Sequence, residues 1–70
     1  MIVKELLDLA NMQDEYEIIN AMTYEKNTYH DVNEIPERFN NMNVVRLYGY
    51  DAEGYDGLQI FVQNEVYKNE

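Results

Sequence analysis

The chain has no cysteine, no serine and no tryptophan, and only one proline, one histidine and three glycines among its 70 residues. Each shortage removes a chemistry. Without Cys there is no disulfide and no thiolate, and His30 by itself cannot build a Cys/His metal cage. Without Ser, the hydroxyls outside tyrosine are Thr23 and Thr28, so the familiar serine and cysteine nucleophiles are excluded. Gly49, Gly54 and Gly57 precede no helical pattern, which rules out a glycine-rich phosphate loop. No apolar run approaches the roughly 20 residues of a membrane span. The opening Met1-Ile2-Val3-Lys4-Glu5 lacks the basic stretch and long apolar core of a signal peptide. With no cysteine to oxidise, the expected location is the cytoplasm.

Positive charge is also scarce. Five Lys and Arg against fourteen Asp and Glu leave a formal charge of −9. Affinity for DNA or RNA rests largely on neutralising phosphates with Lys and Arg, so direct nucleic-acid binding is not expected. What the chain does have is apolar content: 46% hydrophobic residues, with seven Tyr and two Phe. A disordered acidic tail would be poor in both, so the reading is a folded acidic domain. Residues 1–70 fit one domain, with 64–70 as a frayed tail. A chain this short buries only about 60% of its unfolded surface. Small scaffolds lean on disulfides, a metal or another subunit. With the first two unsupported here, a homo-oligomer is the expected source of extra burial.

Hydrophobic periodicity divides the chain into elements. Val3, Leu6, Leu7 and Ala10 fall at the spacing of one helical face, predicting a helix over 3–11 with Asn11 as its cap. From Tyr16 the period changes to two, with Tyr16, Ile18, Asn20, Met22 and Tyr24 opposed to Glu17, Ile19, Ala21 and Thr23. Glu25-Lys26-Asn27 reads as a turn and 28–32 as the return strand. Pro36 suits the first position of a short helical turn over 36–41 that docks Ile35 and Phe39. A strand over 44–50 sets Val44, Arg46 and Tyr48 against Val45 and Leu47. Residues 51–57 read as a loop. Leu58, Ile60 and Val62 then alternate with Gln59, Phe61 and Gln63, and Val66 and Tyr67 could extend that strand. The expected fold is α+β: an N-terminal helix on a four-stranded antiparallel sheet made of two hairpins, with a short helical turn between them.

This order of signals resembles a group of small uncharacterised phage and prophage accessory proteins of Gram-positive bacteria. The likeness rests on Val3-Lys4-Glu5-Leu6-Leu7, Tyr16-Glu17-Ile18-Ile19, Ile35-Pro36-Glu37, Val44-Val45-Arg46-Leu47-Tyr48 and Leu58-Gln59-Ile60-Phe61-Val62. It spans about the whole chain and implies a viral accessory role. It transfers no functional residue. The chain departs from the pattern in its acidic 51–57 stretch and its many tyrosines.

No constellation carries enzyme chemistry. Counting from Asp51, a calcium loop would need Gly at the sixth position and Glu at the twelfth, where Asp56 and Val62 stand. His30 and Asp31 are neighbours on a candidate strand, so their side chains diverge. Glu5 with Asp8, and Glu34 with Glu37, have helical spacing but no enclosing cleft to raise a pKa. The reading is therefore non-enzymatic, without cofactor or metal. Carboxylates cluster at Asp14, Glu15 and Glu17, at Asp31, Glu34 and Glu37, and at Asp51, Glu53 and Asp56. Carboxylates on a folded surface can occupy a groove built for phosphates, and tyrosines make good interface anchors. The candidate partner-binding residues are Asp51, Glu53, Asp56, Tyr48, Tyr50 and Tyr55. The expected partner is a host protein with a basic nucleic-acid-binding surface. The alternative is a structural protein that works as a homo-oligomer, its acidity serving only solubility.

Overall fold

At seven residues, helix α1, Val3–Leu9, is too short to stand on propensity and is held by its ends and its packing. The Glu5 carboxylate accepts the Ile2 N–H at 2.9 Å, closing the first turn. Val3 and Leu6 are buried, and Leu7 and Ala10 pack against the same core. The helix stops short of the expected Asn11: Ala10 takes the cap position and donates its N–H to the Leu6 carbonyl. Tyr16 explains the early stop. Its ring is fully buried, and its hydroxyl donates to the Ala10 carbonyl at 2.8 Å while accepting the Gln13 N–H at 3.1 Å. One side chain thus ties the helix end to the strand that follows.

The computed structural model describes residues 1–63, so the extension through Val66 and Tyr67 lies outside the described residues. The strands are β1, Glu15–Asn20, β2, Lys26–Tyr29, β3, Asn43–Ala52, and β4, Tyr55–Gln63. Of two 3₁₀ turns, Glu37–Phe39 stands within the expected helical turn over 36–41, whereas Val32–Glu34 follows β2, which begins and ends earlier than the expected return strand over 28–32. Pro36 caps the second, and Ile35 and Phe39 enter the core. The fold is α+β, one N-terminal helix with one four-stranded sheet.

The sheet corrects the antiparallel expectation, because it is mixed. Its order is β2-β1-β4-β3. β1 pairs antiparallel with β2 and β4 antiparallel with β3, but the two central strands run parallel. Central β1 buries Tyr16, Ile18 and Ile19, and central β4 buries Ile60 and Val62, whereas β3, though rich in apolar residues, takes an edge and leaves Val45, Leu47 and Tyr48 exposed. Polar β2, Lys-Asn-Thr-Tyr, takes an edge. The core face gathers Tyr16, Ile18, Ile60 and Val62 beneath Val3, Leu6, Ile35 and Phe39.

Strand ends also differ from expectation. β1 stops at Asn20, whose side-chain oxygen accepts the N–H groups of Met22 and Thr23 at 2.8 and 3.1 Å. That turn outcompetes continued alternation and puts Tyr24 at φ 65. The expected loop at 51–57 shrinks to Glu53 and Gly54, both at positive φ (52 and 91) as a type I′ hairpin turn requires. A bulge between Val44 and Arg46 breaks the expected alternation in β3. Val44 then pairs with Val62 and packs on the core, while Arg46 and Tyr48 turn to the other face.

Candidate functional site

The sheet face away from α1 is built from alternate residues of the same strands, and three rows cross it. Arg46, Phe61, Ile19 and Lys26 are successive strand partners; so are Tyr48, Gln59, Glu17 and Thr28; so are Tyr50, Gly57 and Glu15. The third row has a carboxylate at its centre. Glu15, with a side chain only 15% exposed, accepts hydrogen bonds from the hydroxyls of Tyr50 and Tyr55, and Nε2 of His30 lies 3.3 Å from its second oxygen. The Tyr50 bond chiefly, then those of Tyr55 and His30, hold the Glu15 carboxyl below its ordinary value of 4.5, against the opposing effect of burial. Burial first, then donation to Glu15, pushes the Tyr50 phenol far above its ordinary 10.0. The Glu15 charge raises Tyr55 as well.

Gly57 makes this arrangement fit. The Tyr50 ring lies flat against it, and a Cβ there would sit inside the ring's van der Waals envelope at Cζ, Oη and Cε2. Here Gly is required by an aromatic neighbour across the strand pair, not by its φ. Glu17, 13% exposed, accepts from Gln59 at 2.9 Å and faces Lys26 at 3.6 Å. In the first row, Arg46 stands over the Phe61 ring at 5.2 Å, and the Tyr48 ring meets Phe61 edge-on at 5.8 Å. Tyr48 and, less, Tyr24 hold the Arg46 guanidinium more firmly protonated.

Beyond Glu15 the sheet ends in carboxylates. Asp51 and Asp56 are partners across β3 and β4, and Asp14 accepts the Asp56 N–H at 2.9 Å while donating its own N–H to the Asp56 carbonyl. Glu53 is at the hairpin tip. Asp31 follows His30 at the end of β2, and Glu34 accepts the His30 N–H. Three carboxylate clusters that are separate in the sequence therefore meet at one end of the sheet, Glu37 excepted, which lines a different hollow beside Lys4 and Asp8.

The six candidate residues divide between two faces and, for Glu53, the hairpin tip. Tyr48, Tyr50 and Tyr55 belong to the open face, two of them bonded to Glu15. Strand alternation puts Asp51 and Asp56 on the opposite side, at the end of the hairpin. His30 meets Glu15, not Asp31. Glu15 and Glu17 are recognisable as site residues only once β1 lies against β4. Among the described residues, no group of three His, Cys, Asp or Glu is placed to hold a metal ion, and no helix is long and apolar enough to cross a membrane.

No protein-family model matches this chain, and neither a curated protein nor a solved structure matches it. Geometry and charge alone carry the functional argument.

Proposed function

We propose that this chain is a non-enzymatic binding module of the phage accessory kind. It docks its acidic sheet end on the basic, nucleic-acid-binding surface of a host protein, acting in the host cytoplasm. The observation that carries this reading is the meeting of Asp14, Asp51 and Asp56 in one row, with Glu53 beyond it. Carboxylates held by backbone pairing pay little ordering entropy on binding, and their field speeds encounter with a cationic groove. Tyr55, 37% exposed and anchored on Glu15, adds apolar area on the open face at the same end of the sheet.

The test is affinity capture from a Gram-positive bacterial lysate on the immobilised full chain, eluted by salt. The reading expects a captured protein that binds nucleic acid and loses that activity when the free chain is added. The triple substitution D51N/E53Q/D56N should slow association about tenfold or more, with a flatter salt dependence. Capture that survives high salt, or ignores the triple substitution, overturns it.

A further inference from the structure

The open face sorts its charges along the strands. Arg46 and Lys26 mark one end, and Glu17 and Glu15 occupy the next two rows. Same-face neighbours on a strand are two positions apart, so the outer rows stand about 13 Å from each other. Between the two cations lies a shallow trough floored by Ile19 and Phe61 and bordered by Tyr24.

We propose that this face binds a second copy of the same chain. The two-fold axis lies in the interface plane and runs across the strands, between the cationic row and the carboxylate rows. That operation keeps each strand's lateral place and lays the cationic row of each copy over the Glu17 row of the other, with Lys26 one strand from Glu17, so each attraction is made twice. An axis along the strands would instead stack Arg46 over Lys26 of the second copy. Charge therefore selects one orientation. Two copies at −9 repel, and they meet most easily where each is least negative. Of the described cations, Lys4, Lys26, Arg38 and Arg46, two stand here. Tyr24 and Tyr48, 66% and 49% exposed, are anchors of the type that dominates interface energetics.

This inference does not rest on the docking of the acidic sheet end, and it fails separately from it. Sedimentation equilibrium of the full chain should give twice the chain mass, and a mixed-label sample should show nuclear Overhauser contacts between copies at Tyr48 and Phe61. K26E/R46E should weaken self-association about tenfold or more. E15K/E17K should do likewise. Mixing the two variants should restore a hetero-dimer, since each then presents one sign of charge throughout. Because Glu15 holds Tyr50 and Tyr55, E17K by itself serves as the milder partner if the double variant does not fold. A monomer at every attainable concentration overturns the proposal. So does a dimer indifferent to K26E/R46E, or one whose intermolecular contacts fall on β3's edge or on α1.

Discussion

The two faces of β1 and β4 are made from residues one position apart, yet they are stabilised by different physics. Tyr16, Ile18, Ile60 and Val62 are sealed under α1 and the 3₁₀ turns, where burial of apolar area dominates. Glu15, Glu17, Gly57 and Gln59, on the reverse side, form a hydrogen-bonded layer in which tyrosines and long cationic side chains replace a second layer of backbone. Arg46 holds its guanidinium over the Phe61 ring, and Lys26 faces Glu17 beside Ile19. The open face is ordered by polar contacts that the covered face does not use.

Substitutions on the two faces should separate in size and in pH response. Ile60→Ala, at a fully buried position, should cost about 2–5 kcal/mol in denaturant unfolding. A loss below 1 kcal/mol would remove the distinction between the faces. Gly57→Ala should cost about 1–3 kcal/mol by forcing the Tyr50 ring off the strand, and should abolish the Tyr50–Glu15 bond as seen by NMR. Tyr50→Phe keeps the ring and removes the donor, so the expected loss is about 1 kcal/mol, with the Glu15 titration moving up toward 4.5. Lys4→Met, removing an exposed pair to Asp8 at 3.8 Å, should change stability by only about 0.5 kcal/mol or less.

The pH response sharpens the same contrast. Glu15 has its folded pKa depressed, so its contribution is present above the unfolded value of 4.5 and lost as pH falls through the lower folded value. Tyr50 has its folded pKa raised, so its contribution is present below 10.0 and lost as pH rises past that value. The acid limb thus leads chiefly to the Tyr50–Glu15 hydrogen bond, and the alkaline limb to burial of the Tyr50 phenol together with that bond. In Tyr50→Phe the alkaline loss should shrink and the acid loss should soften, whereas Ile60→Ala should lower the whole curve without reshaping it. Thermal melts across pH distinguish these outcomes.

Local sequence determined the elements with short-range causes. The helical spacing of Val3, Leu6 and Leu7, the alternation from Leu58 to Gln63, and the docking of Ile35 and Phe39 around Pro36 are each written within a few residues. Where local chemistry competed with pattern, pattern lost: Asn20 closed a turn within an apparent strand, and Glu53-Gly54 absorbed the whole turn of a longer apparent loop. Which strands become neighbours is not a local property. Antiparallel partners follow from short connections, but the parallel contact of β1 with β4 joins residues about forty positions apart. It sets Tyr16, Ile18 and Ile19 beside Leu58, Ile60 and Phe61 at the centre of the sheet. The candidate site depends on that contact, since Glu15 meets Tyr50, Tyr55 and Gly57 only through it. Composition set the sign and size of the charge; tertiary packing decided where the carboxylates gather, because only the folded sheet brings distant rows into register.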